Sequence, residues 1–237
     1  MKPKLSIIIP VLNEEETLRL LLRDIKICER SLPFSMECIV VDGESVDNSV
    51  EVCKEFGVKV IKASRGRGQQ LCAGAQQSKG EVLFFLHADS RLTPEHCLAA
   101  VATVSNNGIV AGGFELKFDD SHPILKFAEW VNKIRFRYTR IFYGDHGIFT
   151  QRKSYEEVGG IPPQALFEDV EFSRRLKKQG RVVMTSPCMM TSSRRFRAGG
   201  VIRTYLKMAF LYILHWLRVS PDYLARLYQK KSRPVKS

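Results

Sequence analysis

The feature that most constrains this chain is an alternation in its first third. Four short, β-branched apolar runs, Leu5–Val11, Ile39–Val41, Val58–Ile61 and Val82–Leu86, are separated by segments of helical spacing. Runs of this length and composition suit strands buried on both faces of a sheet. Leu18, Leu21, Leu22 and Ile25 recur every three to four residues across 15–29. Segments 50–56 and 69–78 fill the next two gaps, closed by Gly57 and Gly80. This order predicts an α/β fold, a three-layer sandwich with a mainly parallel central sheet and right-handed crossovers, whose ligands bind at the carboxyl ends of the strands.

Further on, the pattern predicts a helix at 94–105 behind Thr93-Pro94, a strand at 109–118, an amphipathic helix at 124–141 and a turn at 143–147. A strand at 147–151, a loop through Gly159-Gly160 and Pro162-Pro163, a helix at 168–178, a strand at 181–185 and two C-terminal helices complete it. With 237 residues and 44% apolar content, one large domain suffices.

The formal charge of +12 is uneven, because residues 171–237 hold sixteen Lys/Arg against two acids. Such a basic third attracts phosphate, whether on a nucleotide, a nucleic acid or an anionic lipid. Its apolar run Met208–Leu217 is half the length a spanning helix needs, about 20 residues. With Arg203, Lys207, Arg218 and Arg226 nearby, two placements stay open: in a membrane interface, or packed on the domain. Six scattered cysteines without C-x-x-C spacing read as reduced thiols. With no signal-peptide pattern at the N-terminus, the expected location is cytoplasmic.

The strand ends carry the chemistry. Pro10-Val11-Leu12-Asn13-Glu14-Glu15 lacks the G-x-G-x-x-G of a dinucleotide-binding turn. Glu14 either reaches a ribose or base, or favours the positive end of the next helix. Asp42, before Gly43, can accept a base N–H, whereas Ser45, Asp47 or Asn48 is expected to cap the following helix. Arg65-Gly66-Arg67-Gly68 offers backbone N–H groups and positive charge to phosphate, a pattern that also suits RNA. Asp89, beyond the fourth strand, can hold Mg²⁺ or Mn²⁺ against a diphosphate or simply cap a helix. Glu168-Asp169 opens a helical run, as dipole partners or as a general base.

Taken in order, Ile7-Ile8-Ile9-Pro10-Val11-Leu12-Asn13-Glu14-Glu15, Val41-Asp42-Gly43-x-Ser45-x-Asp47, His87-Ala88-Asp89 and Glu168-Asp169 resemble the inverting family 2 glycosyltransferases of the GT-A fold. Arg203-Thr204 and Val219-Ser220-Pro221-Asp222 are similar to a compact bacterial subgroup whose acceptors are mostly unassigned. The resemblance implies a catalytic domain over 1–200, with basic amphipathic helices over 201–237 packed on the domain or a membrane surface. It implies a UDP- or GDP-sugar donor bound by Pro10, Asn13, Glu14, Asp42, Gly43, Arg65, Arg67, Gly68, Ala88 and Asp89, with the divalent cation on Asp89. Asp169 becomes the catalytic base, and Glu168, Asp145 and His146 line the acceptor side.

Two departures stand out. The family's D-x-D reads His87-x-Asp89, which raises the question of His87 as a metal ligand. The Q-x-x-R-W of processive synthases is absent. Ser193-Arg194-Arg195-Phe196 stands in its region, so a single sugar is expected to move, with Arg194, Arg195 or Arg197 as phosphate contacts. The acceptor hydroxyl or carboxylate is expected on a lipid, with the protein peripheral on the inner face of an anionic membrane. The competing classes are a nucleic-acid-binding protein and a non-catalytic nucleotide-binding protein; no nucleic-acid partner is expected under the leading reading.

Overall fold

A computed structural model describes residues 2–194, 197 and 200–229. Seven strands, β1 (Leu5–Val11), β2 (Met36–Asp42), β3 (Lys59–Lys62), β4 (Val82–Phe85), β5 (Ile109–Phe118), β6 (Ile148–Gln151) and β7 (Arg181–Thr191), form one sheet in the order β3-β2-β1-β4-β6-β5-β7. The four N-terminal strands are mutually parallel, as is the β5–β7 pair, while β6 runs antiparallel to both its neighbours. The expected mainly parallel α/β sheet is therefore present.

Alternation along β1 builds the layers. Ile7 and Ile9 point into one core with Leu18, Leu21, Leu22 and Ile25 of α1 (Glu15–Ser31), and Ile8 points into a second core with Leu71 and Ala75. Each such fully buried aliphatic side chain contributes roughly 1.5–3 kcal/mol. The short α2 (Ser49–Glu55) ends as expected at Gly57, which takes φ +62°. α3 (Arg67–Gln77) lies against the sheet at Gly74, where a Cβ would fall 2.4 Å from Ile8. It ends at Ser78, before Gly80; Gly80 is required instead by close approach to the Ser6 backbone, 2.6 Å from a would-be Cβ.

α4 (Pro94–Ser105) starts where Thr93-Pro94 signals it, with a capping box between Thr93 and His96. α5 (Pro123–Thr139) follows β5. Two differences from the sequence expectation follow. A six-residue helix, α6 (Arg152–Glu157), occupies what read as loop, being too short to show a period. β7 continues past Ser186-Pro187 to Thr191. As an edge strand it tolerates a proline, and its ladder to β5 skips from Thr185 to Met189. α7 (Glu168–Gln179), α8 (Val201–Trp216) and α9 (Pro221–Gln229) complete the described chain. The last two pack through Leu211, Leu224 and Ala225 on Ile141, Leu166, Phe167 and Val170. None of the described helices is long and apolar enough to cross a membrane.

Candidate active site

The tips of β1 and β2 are laced together. Asn13 turns the chain with φ +55°, its N–H donates to Ser45 Oγ (3.0 Å), and its Oδ1 accepts the Val46 N–H (2.8 Å). Ser49 Oγ accepts the Glu14 N–H at 3.0 Å, while Asp47 accepts the Glu15 and Ser49 N–H groups, each at 3.0 Å. Asp47 thus serves the first residues of both α1 and α2, whereas Asn48 provides no side-chain cap. Burial pushes the Asp47 carboxyl up, but the Ser49 hydroxyl and these N–H groups together hold it below its ordinary value.

Beneath this pair lies Gln70, whose role the sequence reading missed. Its Nε2 donates to the carbonyls of Val11 and Val41, both at 2.8 Å. Gly43 donates to the same Val11 carbonyl, and a Cβ there would fall 2.8 Å from Gln70 Nε2. Gly43 is thereby tied to the brace. Asp42 is buried at the tip of β2, its Oδ1 accepting the Ser45 N–H at 3.1 Å. Pro10 pairs across to Val41 in the β1–β2 ladder. Glu14 Oε2 accepts from Thr17 Oγ1 and from Arg194 Nη2 (2.6 Å).

A second cluster forms where α3, β4, the turn after α5 and the start of α7 converge. Arg67 reaches Glu168 Oε1 (Nε, 3.2 Å) and His87 Nε2 (Nη1, 3.0 Å). Asp169 Oδ2 accepts the Gly144 N–H at 2.6 Å and Oδ1 the Val170 N–H at 2.7 Å. A Cβ on Gly144 would fall 2.5 Å from His87 Nε2, so glycine is needed for the turn to close on the cluster. Leu71, Phe85, Ile148 and Phe172 form its apolar floor. The larger cavity, about 410 Å³ around Lys2, Lys4, Glu81 and Arg152, lies at the opposite edge of the sheet and holds none of these groups.

Burial sets the electrostatics. It pushes Glu168, 1% exposed, up to about 7 against the attraction of Arg67, with Asp169 adding to the rise. Asp169 is also raised by burial, opposed by Arg67 and the two N–H donors. Burial alone would lower Arg67, but Glu168 and Asp169 outweigh it and keep the guanidinium charged. A guanidinium only donates, so His87 Nε2 is the acceptor and its lone pair faces Arg67.

Arg65 is exposed beside α3, and Gly68 is pressed against the backbone of Pro162 and Gln164, with a would-be Cβ at 2.5 and 2.6 Å. Ala88 is buried and Asp89 half-buried after β4. Among the described residues no group of three or more His, Cys, Asp or Glu could by itself hold a metal ion. A Mg²⁺ or Mn²⁺ ion here would suit a site with one carboxylate and the phosphates of a ligand. The expectation that His146 lines an acceptor surface is corrected. It is 0% exposed, with Nδ1 on the Phe114 carbonyl (2.8 Å) and Nε2 facing Arg135 (3.4 Å). Asp145 is half-buried, and its Oδ1 makes no hydrogen bond. Arg194 pairs with Glu14 and Arg197 with Asp120; Arg195 lies outside the described residues.

An aromatic cluster, also missed in the sequence, lies near enough to Asp169 for its charge to act on Tyr143 and His215. Phe167, in the left-handed region at φ +60°, stacks on His215 at 4.5 Å and meets Tyr212 edge-on at 6.1 Å. Tyr143 meets Tyr212 at 5.8 Å and lies under the Arg135 guanidinium, 3.7 Å from its ring. These residues come from three separate segments with no shared motif, so only packing unites them.

Known proteins carry the same framework. Over 153 residues the chain is 34% identical to the undecaprenyl-phosphate 4-deoxy-4-formamido-L-arabinose transferase of Proteus mirabilis, covering 61% of this chain and 47% of that protein. Over 105 residues it is 33% identical to the 4,4'-diaponeurosporenoate glycosyltransferase of Staphylococcus haemolyticus, covering 41% and 27%. The chain thus spans about half the length, or less, of these curated relatives. The mannosyltransferase from Pyrobaculum calidifontis, solved with GDP-Man and Mn²⁺, superposes with a TM-score of 0.64 at 17% identity, covering 97% of this chain and 71% of that one. At that identity the likeness establishes a shared fold, the GT-A arrangement expected from the sequence. The model of glycosyl transferase family 2 matches residues 6–159, well over half the chain, and the protein belongs to that family.

Proposed function

We propose that this protein moves one sugar from a nucleoside-diphosphate sugar to an acceptor hydroxyl or carboxylate by direct displacement with inversion, Asp169 taking the acceptor proton. The observation that carries the reading is the setting of Asp169. Its carboxylate is clamped by two backbone N–H groups and raised by burial, at the carboxyl edge of the sheet beside Arg67 and His87. A carboxylate has about four lone-pair sites, so two N–H donors leave room for an acceptor O–H. A raised carboxylate is also a stronger base. One such group suffices for a single displacement, and the neighbouring Glu168, held near 7, is partly protonated at neutral pH.

On the donor side, the laced tips of β1 and β2 present Pro10, Asn13, Glu14, Asp42 and Gly43 to the nucleoside, with Arg65, Arg67, Gly68 and Ala88 towards the diphosphate. Asp89 would hold a divalent cation, which neutralises charge on the leaving diphosphate when bound. The Proteus relative's name includes an undecaprenyl phosphate and the Staphylococcus relative's a diaponeurosporenoate. Both names support a long apolar acceptor, and with it a site of action at a membrane surface.

Thermal unfolding with UDP or GDP, each with and without Mn²⁺, tests the donor side, since a ligand at 100 times its Kd adds about 2.7 kcal/mol. Asp169→Asn is expected to retain that shift while sugar transfer to a membrane lipid extract falls by ~10²–10⁴. Unchanged transfer in this variant overturns the base assignment, and no shift with either nucleotide overturns the donor reading.

A further inference from the structure

α8 is apolar on both sides, which a helix with one solvent face does not need to be. Its inward side packs Leu211, Met208 and Tyr212 on Phe167 and Val170. Its outward side carries Ile202, Leu206, Phe210, Ile213 and Leu217, spaced by three or four residues, with Trp216 alongside. Each of the six is more than half exposed. Scattered exposed apolar residues are ordinary, but six on one helix mark a surface meant to be covered.

Charge says what covers it. α8 contains Arg203 and Lys207 and no acid, Arg218 follows directly, and Arg203 and Arg218 are exposed. A second copy of the chain would bring these like charges together; an anionic bilayer surface complements them. The helix, of 16 residues, extends about 24 Å, too short to span. Beside it, α5 packs Leu125 and Ala128 near Val201 and Tyr205, and exposes a second apolar pair, Phe127 stacked on Trp130 at 5.7 Å.

We infer that α8 is an interfacial docking helix, lying in the plane of an anionic membrane with the Ile202–Leu217 stripe in the acyl boundary and Arg203 and Arg218 among the headgroups. Its opposite side packs Tyr212 and His215 on Phe167, two residues before Asp169. Docking therefore seats the candidate catalytic cleft at the bilayer, where a lipid-borne acceptor would be presented. The docking stands by itself; that consequence rests on the proposed transfer reaction.

The test is co-sedimentation of the full chain with phosphatidylcholine vesicles, with and without phosphatidylglycerol, read together with tryptophan emission. Binding to the anionic vesicles, a blue shift and weakening by salt are expected. Phe210→Ser should cut partitioning by on the order of tenfold to a hundredfold. Arg203→Ala and Arg218→Ala should each cut it by about fivefold. All three side chains are exposed, so unchanged circular dichroism is expected to confirm folding. No binding to anionic vesicles, or equal binding by Phe210→Ser, overturns the inference. So does concentration-dependent self-association that Phe210→Ser abolishes, or a soluble protein ligand on this face with no vesicle binding. The Mn²⁺-dependent nucleotide shift, measured in parallel, separates the two proposals: its loss counts against sugar transfer and leaves docking untouched.

Discussion

The two halves of the cleft are built in opposite ways. At the tips of β1 and β2, Asn13, Ser45, Asp47, Ser49 and Gln70 satisfy one another and the backbone in a closed lattice of hydrogen bonds. Around Asp169, by contrast, Asp145 Oδ1 and His215 Nε2 are buried without a hydrogen bond, and Glu168 Oε1 is met only by its ion pair with Arg67 Nε. An unsatisfied buried polar group costs about 1–3 kcal/mol, so the second half bears a cost that the first avoids. The strand-tip half, proposed to take the donor, is held in advance by its own polar pairs. The half with the proposed base keeps its groups desolvated, and desolvation is what raises Glu168 and Asp169.

The contrast breaks first, if it breaks, at Glu168. Its folded value of about 7 lies above its ordinary 4.5, so the folded state binds the extra proton between those limits. The resulting stability is fully present below about 4.5 and lost as pH rises through about 7. Urea unfolding across that window should show the wild type losing about 2–3 kcal/mol relative to Glu168→Gln. Parallel curves would mean that Glu168 is not desolvated, and the contrast would fail.

Gln70→Leu sharpens the contrast from the donor side. Two strand-end carbonyls lose a donor, and a cost of about 1–2 kcal/mol is expected by the same unfolding, with no change in its pH slope. A cost near zero would mean that the brace is redundant. The smallest effect belongs to Asp47→Ala, about 1 kcal/mol as for the loss of a helix cap. Because its carboxyl is depressed, that contribution should be present above its ordinary value and disappear as pH falls through the folded one. The same comparison at low pH checks it.

How much of this was legible in the sequence varies by region. β1 through β4 and the helices between them read correctly to within a few residues, because each has its own period and composition. The candidate acids stand out for the same reason: Asp42, Asp89 and Asp169 each follow or open a strongly patterned element. Gln70 was not found, since a glutamine in the first turn of a helix looks like any exposed one until two strand ends are seen above it. His146, which the resemblance assigns to the acceptor side, is drawn inward by the Phe114 carbonyl of β5, a contact no local pattern signals. Arg194 read as a phosphate ligand in the sequence, and Glu14, 180 residues away, engages it in the fold.

By itself the sequence determined the α/β class, the order of the N-terminal elements, the family motifs and the basic C-terminal third. Local period, side-chain volume and charge act over a few residues and need no knowledge of neighbours. Only the tertiary structure decided that β6 enters the sheet antiparallel, that Arg67 joins Glu168 and His87, and that α8 packs on Phe167 and Val170 on one side while leaving an apolar face outside. Those outcomes depend on which distant surfaces bury each other, and burial is also what moved Glu168 and Asp169 away from their ordinary values.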